Sequence, residues 1–568
     1  MSLSRWPQRA WSLRSRHARP APSTTCTTAL RCKKVFTLTF QNCPTVPSVQ
    51  CRTYGSFKRY TMDQSLLEDL KSQPKAAQLL DTGKETPEPP KIQAAYIALG
   101  SNLGDRVSMI EQACREMDAR GIKVTRTSSL WETEPMYVLD QDRFVNGACE
   151  VETELQPLAL LDALQDIEKS MGRKKVVEKG PRNIDLDILL YGDESHAQAV
   201  SHPRLQIPHP LITEREFVLR PLAELIPHRA LDKARPWKLI QDHLNELSPS
   251  EDVAEPLSNL TPLGASMTKL HALRSSRSTQ VMAILNVTPD SFSDGGVHLP
   301  QKRKAETDSL PSSSPKSAEL TILKATVLNF IRDGASIIDV GGQSTAPGAP
   351  EVSTSEELSR VLPAIRLIRS LPEASNVAIS VDTYRAAVAE AAVEAGADIV
   401  NDVSAGLLDS EMLPTVARLG CTICLMHMRG TPATMSKLNT YPSGLIPTLA
   451  EELIARVKAA EAAGIRRWRI ILDPGMGFAK VGDQNLEILR HMPELRRWPG
   501  LEGLPWLLGS SRKSFVGKIT GVAKPEGRVF GTAATVVAAV QGGADIVRVH
   551  DVLAMSQVVK MSDAIYRY

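Results

Sequence analysis

An α+β sandwich followed by an eight-stranded α/β barrel is the architecture this sequence predicts. Three observations predict it. Eight short apolar runs alternate with Ala-rich helical stretches over residues 279–568. Residues 92–248 carry strand and helix signals in the order β-α-β-β-α-β. The 568 residues are 42% hydrophobic and 23% charged, a globular composition with room for both units.

Residues 1–60 stand apart. They hold eleven Lys and Arg and no Asp or Glu; removing those eleven from a net charge of +3 leaves −8 for residues 61–568. A basic, Ser/Thr-rich, acid-free start with no continuous apolar core predicts an organellar transit peptide. Its Arg content favours the mitochondrion over a plastid, and a cytosolic chain with an unaddressed basic tail is the alternative. The mildly acidic remainder argues against a general nucleic-acid surface. No run of about 18 apolar residues predicts a transmembrane helix. Residues 61–91 end in ETPEPP and are predicted to be a linker.

Within 92–248, AAYIALGS (94–101) is strand-like. Residues 105–119 place Val107, Ile110, Ala113, Cys114 and Met117 on one helical face. Strands are predicted around 124–135 and 144–153, a helix over 157–171, and a last strand over 184–192. That order is the one of a ferredoxin-like α+β fold. Residues 249–278, Ser/Pro-rich and without period, are predicted to be a second linker. Residues 298–320 are of low complexity and are predicted to be a disordered insert.

The eight runs are 280–287, 335–342, 377–382, 398–403, 422–427, 469–475, 506–511 and 545–551. Buried parallel strands read as continuous apolar runs, and eight of them alternating with helices predict a (β/α)8 TIM barrel. In such barrels the active site forms where strands end. The residues at those ends are Asn286, Gly341–Thr345, Asp382, Asn401 with Asp402, His427, Asp473 with Phe478, Ser511–Ser514, and Arg548 with His550. Carboxylates and amides suit the donor and acceptor edge of a nitrogen heterocycle; Arg, His and Lys suit an anion. Cys421 and Cys424 form a lone C-x-x-C in an apolar run; with no second pair, they are predicted to be buried thiols rather than a zinc site.

Asp185 and Asp187 lie two apart on the strand 184–192. Period two sets both on one face, about 6.5–7 Å apart, a spacing that suits divalent metal beside nucleotide phosphates. The cationic stretch GRKKVVEKGPR (172–182) precedes them.

Two resemblances follow from these residues. LNVTPDSFSDGG (285–296), GGQSTAPGA (341–349), SVDT (380–383), VNDVSAG (400–406), LMHMRG (425–430), LDPGMGF (472–478), SSRKS (510–514) and RVHDV (548–552) resemble dihydropteroate synthase. The resemblance implies condensation of diphosphorylated hydroxymethyl-dihydropterin with p-aminobenzoate and release of diphosphate. It implies that Asp382, Asn401, Asp473, Lys513 and Arg548 hold the pterin. Asn286, Arg548 and His550 match the diphosphate side, with Asn286 toward Mg2+. Thr345, Pro347, Phe478 and Ser514 match the aminobenzoate pocket, and Ser291–Gly296 match a mobile loop. Ala346 stands where many members have Arg, which bears on aminobenzoate affinity and sulfonamide sensitivity.

YIALGSN (96–102), FVNGACEVET (144–153), GPRNIDLDILLYG (180–192) and IPHPLITEREFVLRPLAE (207–224) resemble 6-hydroxymethyl-7,8-dihydropterin pyrophosphokinase. That resemblance implies transfer of diphosphate from ATP, with Asp185 and Asp187 as Mg2+ ligands. Glu168, Arg173, Arg182, His209 and Arg215 match ATP-side positions, and Thr133, Phe144, Asn146 and Phe217 the pterin pocket. Lys179 stands where an aromatic commonly precedes Gly-Pro-Arg. Lys174 and Lys175 are left without a role. The first domain's implied product is the second's implied substrate, so each assignment supports the other. The rival readings are a pterin-dependent methyltransferase, a non-catalytic scaffold, and RNA binding by the leader. Dimerisation through the barrel is a further implication of the resemblance.

Overall fold

The computed structural model describes residues 91–136, 140–173, 180–193, 198–247, 258–264, 269–287, 315–343 and 350–568. The predicted transit peptide and all but the last residue of the first linker lie outside them.

The first sheet takes strands β1 (Gln93–Ser101), β2 (Lys123–Thr127), β3 (Leu130–Thr133), β4 (Phe144–Thr153) and β5 (Asp185–Tyr191). Its central order is β5-β1-β4-β3, all antiparallel. Helices α1 (Arg106–Ala119) and α2 (Pro157–Ser170) bury one face. Asp105 caps α1 by accepting from the Ser108 amide at 3.2 Å, and Pro157 opens α2 where no amide donor is needed. A short antiparallel pair, β6 (Val200–His202) and β7 (Leu205–Ile207), follows β5. Helices α3 (Glu216–Leu225) and α4 (Ile240–Glu246) cover the other face of the sheet around Tyr96, Leu189 and Leu190.

The strand expected around 124–135 is two strands. Ser128 and Ser129 break it: the Ser128 side chain accepts the Ala148 amide at 2.9 Å, standing in for a ladder carbonyl. The stretch expected to be a second linker is also structured. β8 (Ser258–Pro262) pairs with β3, and β9 (Lys269–Leu270) pairs with β8.

The barrel strands are β10 (Gln280–Asn286), β11 (Ile337–Gly341), β12 (Ala378–Asp382), β13 (Ile399–Asp402), β14 (Thr422–Met426), β15 (Ile470–Asp473), β16 (Leu507–Leu508) and β17 (Ile546–Val549). They run parallel in the order β15-β14-β13-β12-β11-β10-β17-β16. A bridge from Leu472 to Trp506 nearly closes the ring. Between and after them run α5 (Pro315–Arg332), α6 (Thr354–Ser370), α7 (Ala386–Glu394), α8 (Met412–Leu419), α9 (Leu445–Ala462), α10 (Gln484–Arg496), α11 (Ser514–Thr520), α12 (Val529–Gln541) and α13 (Val552–Tyr566). Helix α5 begins inside the stretch predicted to be an insert, so residues 315–320 are helical; residues 298–314 lie outside the described residues. Cys421 and Cys424 are free and buried.

Leu263 and Leu270 of the β8–β9 hairpin pack against Met282, Ile337, Ala378, Ile399, Cys424, Ile471, Leu507 and Ile546, one residue from each barrel strand. The hairpin therefore plugs the barrel and extends the first sheet at once.

The two domains share a core at a second place. Trp468, just before β15, is buried among Ile110, Cys114 and Val151 of the first domain. Its Nε1 donates to Glu111 at 3.0 Å, and Arg469 makes two further bonds to Glu111 at 2.7 and 2.8 Å. Trp468→Ala should cost about 3–5 kcal/mol, the range for a buried Trp truncation. Urea unfolding followed by both activities should show them lost together at a lower midpoint than in the parent chain.

Candidate active sites

In the first domain, nine of the implied residues line one cavity of about 200 Å3: Thr133, Phe144, Asn146, Arg182, Asp185, Asp187, His209, Arg215 and Phe217. β5 brings the aspartates, because alternation turns Asp185 and Asp187 to one side while Leu186 and Ile188 go to the core. β4 supplies Asn146, whose amide donates to Thr133 Oγ1 at 2.8 Å. The Arg215 guanidinium lies 5.7 Å from the Phe217 ring centre.

Glu168 and Arg173 stand behind this cavity rather than in its lining. Glu168 is buried, accepts the Leu186 amide at 2.8 Å and pairs with Arg173. Arg173 reaches Asp185 Oδ1 at 2.8 Å, and Arg182 takes Asp185 Oδ2. Glu168 therefore acts as an anchor of the strand and of Arg173. Asp187 opens to the cavity, but the walls crowd it: desolvation first, then Asp185 and Glu168, push its carboxyl up to about 7 against Arg173 and Arg182. Burial and then Arg215 hold His209 below the usual imidazole range. Lys174, Lys175 and Lys179 lie outside the described residues.

At the barrel mouth, strand ends bring Asp382, Asn401, Asp473 and Arg548 together, as expected from the sequence. Arg548 Nε donates to Asp339 Oδ2 at 2.6 Å and Nη2 to Asp382 Oδ2 at 2.7 Å. Asn401 Nδ2 donates to Asp339 Oδ2 at 3.2 Å. Asp339 was missed by sequence reasoning, and it is 0% exposed. The available signal was one acid inside the apolar run IIDVG. Asp339 Oδ1 and Asp382 Oδ1 are buried and have no hydrogen-bond partner among the described residues. Burial pushes Asp382 up to about 7, opposed by Arg548 and reinforced by Asp339.

Lys513 precedes helix α11. Its ammonium bonds to Met476 O and lies 4.6 Å from the Phe478 ring centre. Burial lowers it to about 8, opposed by Asp473. Ser514 opens that helix at an exposed position. His550 directly follows strand β17. Burial, then Arg512 and Arg548, hold it down to about 4, so its ring is neutral near pH 7. Ser511 Oγ accepts the His550 amide at 3.2 Å and lies 3.0 Å from Nδ1. Asn286 ends β10 and is exposed. Gly341 lies between it and Asp382: a Cβ there would sit 3.5 Å from Asn286 Oδ1 and 3.6 Å from Asp382 Cβ. Thr345, Ala346, Pro347 and the loop Ser291–Gly296 lie outside the described residues.

Comparison with known proteins bears on both domains. Residues 96–227 match the 7,8-dihydro-6-hydroxymethylpterin-pyrophosphokinase family, and residues 305–550 match the pterin binding enzyme family. The chain is 40% identical to the mitochondrial folate synthesis bifunctional protein of Arabidopsis thaliana, over 83% of this chain and 83% of that one. It is 45% identical to the folic acid synthesis protein fol1 of Pneumocystis carinii, over 84% of this chain and 60% of the relative, so it spans about three fifths of that longer protein. The crystal structure of wild-type Plasmodium falciparum HPPK-DHPS with pteroate superimposes with a TM-score of 0.67, at 22% identity, over 85% of this chain and 99% of that one, a likeness of fold. With a pyrophosphokinase domain followed by a pterin-binding barrel, this chain belongs to the family of bifunctional folate synthesis proteins.

Proposed function

We propose that the chain performs two consecutive reactions of folate synthesis. The first moves the β,γ-diphosphoryl group of ATP to the hydroxymethyl oxygen of 6-hydroxymethyl-7,8-dihydropterin; the hydroxyl loses its proton and AMP leaves. The second joins the p-aminobenzoate nitrogen to the pterin methylene carbon; diphosphate leaves with its bonding electrons and the nitrogen loses a proton. The observation that carries the reading is the buried Asp339–Arg548–Asp382 cluster, in which one oxygen of each aspartate has no hydrogen-bond partner among the described residues. Such oxygens accept the N–H groups of a pterin edge, as burial otherwise penalises them.

In the kinase site, Phe144 and Phe217 offer aromatic faces to a pterin, and Asn146 and Thr133 offer polar edges. Arg182, Arg215 and His209 suit the triphosphate. The donor set at Asp185 and Asp187 fits Mg2+: their crowding raises Asp187, and a divalent cation would relieve that. Bound there, Mg2+ would supply charge neutralisation at the phosphates. At the barrel mouth, Arg548 and His550 are the groups that face the departing diphosphate. Asn286 is the oxygen donor there for a cation.

Two charge states bound the second reaction. Asp382 must be a carboxylate to pair Arg548, and that form is lost below about pH 7. Lys513 must be an ammonium, and that form is lost above about pH 8. Assayed from about pH 5.5 to about 9.5, kcat/KM for the diphosphorylated pterin should be bell-shaped with its limbs near those values. A flat profile would contradict both roles.

The basic leader, together with relatives from Arabidopsis thaliana and Pisum sativum named mitochondrial, supports mitochondrial import. A homodimer through the barrel is supported by apolar side chains on helices α12 and α13, where Phe530 is 89% exposed. The test of function supplies the purified full chain with hydroxymethyl-dihydropterin, Mg-ATP and p-aminobenzoate. AMP and dihydropteroate should both form; neither forming from folded protein would favour a scaffold.

A further inference from the structure

Beside the synthase cluster lies a chain of buried and half-buried polar groups with no part in the mechanism above. Lys480 is 4% exposed. Its Nζ lies 2.8 Å from His427 Nδ1 and donates to Phe478 O at 2.9 Å. His427 Nε2 lies 2.7 Å from Glu452 Oε2, on helix α9. Arg429 holds Glu452 through Nε at 3.0 and 3.1 Å. The same guanidinium lies 4.2 Å from the Tyr441 ring centre, and Tyr441 Oη donates to Ala479 O at 2.9 Å. The chain therefore starts and ends on adjacent carbonyls of one segment.

That segment needs holding. Gly475, Gly477 and Ala479 all have left-handed backbone, with φ of 69°, 79° and 52°. For Ala this costs roughly 1–2 kcal/mol. Gly475 has no alternative residue, since a Cβ there would run into His427 O. The segment carries Phe478, whose ring lies 4.6 Å from Lys513 Nζ, and Met476 O, which accepts from Lys513. The protonation pattern suits the chain. Burial and Lys480 hold His427 down to about 4, so the neutral ring donates at Nε2 and accepts at Nδ1. Burial would raise Glu452, but hydrogen bonds from His427 and Arg429 outweigh it and hold it at about 2. Burying Lys480 is costly where an apolar side chain would fill the space, which argues for a use beyond packing.

We propose that Lys480, His427, Glu452, Arg429 and Tyr441 form a positioning network for the arylamine side of the synthase reaction. The network fixes segment 475–480, and with it the Phe478 ring, in the orientation the arylamine requires. This rests on the synthase reading above. None of the five touches the reacting atoms.

The test uses Lys480→Met and Tyr441→Phe in the full chain, with preformed diphosphorylated pterin so that the kinase step is bypassed. KM for p-aminobenzoate should rise about tenfold in Lys480→Met, which loses the bonds to His427 and Phe478 O, and about threefold in Tyr441→Phe, which loses one neutral hydrogen bond. KM for the diphosphorylated pterin and AMP release in the kinase assay should stay within about twofold. A structural role alone would lower the melting temperature and move both KM values together, or neither; either result overturns the proposal. Should Lys480→Met fail to fold, Tyr441→Phe decides by the same split, because it keeps the ring and removes only the hydroxyl. A parent chain that makes no dihydropteroate would sink the synthase reading and this inference with it. An active parent with unchanged aminobenzoate KM in the folded variants would sink the inference alone.

Discussion

Arg548→Met should lower kcat/KM for dihydropteroate formation by about 10³-fold or more, while AMP release by the kinase domain stays within about twofold. Arg548 bonds Asp339 and Asp382 together, and the other oxygen of each aspartate has no hydrogen-bond partner among the described residues. Removing it leaves two buried carboxylates without their countercharge, a loss on the order of 3–5 kcal/mol. The cost should fall toward the low end of that range at neutral pH. Asp382 is already pushed up to about 7 by burial, and without Arg548 it rises further and takes up a proton. The variant should therefore regain part of its stability as pH falls from about 8 to about 6, the opposite of ordinary acid destabilisation. Denaturant midpoints at the two pH values check this, and steady-state kinetics with preformed diphosphorylated pterin check the activity.

Asp187→Asn should abolish the first reaction, lowering AMP release by about 10³-fold or more. It should not weaken the fold. Asp187 is raised to about 7 because desolvation and the neighbouring acids disfavour its charged form. A carboxyl whose pKa is raised by folding opposes folding at pH values above its unfolded pKa, so a neutral amide of the same shape relieves it. The melting temperature at pH 8 should not fall, since Asp187 is solvent-exposed and the amide keeps its shape. Dihydropteroate should still form when diphosphorylated pterin is added. A loss of AMP release accompanied by a lower melting temperature would mean that Asp187 is structural.

The barrel and its mouth were legible because each buried strand is a continuous apolar run ended by a polar residue. Asp382, Asn401, Asp473 and Arg548 could thus be read off strand ends, and the structure brings them together. Asp339 escaped because it sits inside its run, two residues before Gly341, where an acid looks like an interruption. The sandwich was legible from its periodicity, save where Ser128 replaces a ladder carbonyl. Residues 249–278 were not legible as structure. Leu260, Leu263 and Leu270 have no local period, and their partners are Leu130 and the eight barrel strands, far away in sequence. The bonds from Glu168 to Arg173 and to the Leu186 amide were not legible, because they join residues on separate elements. The low proton affinity of His550 was not legible, because burial, Arg512 and Arg548 act on it through tertiary contacts. Lys480 and Tyr441 have no spacing that points to each other; their link runs through tertiary contacts alone.

The central claim is that one chain makes a diphosphorylated pterin and then consumes it. Labelling ATP in its β-phosphate tests that most directly. With p-aminobenzoate withheld, the label should leave ATP and appear on the pterin, with one AMP released per pterin labelled. On adding p-aminobenzoate it should pass to free diphosphate as dihydropteroate forms. Label found in ADP or orthophosphate, or held on the pterin after p-aminobenzoate is added, would contradict the two-step account.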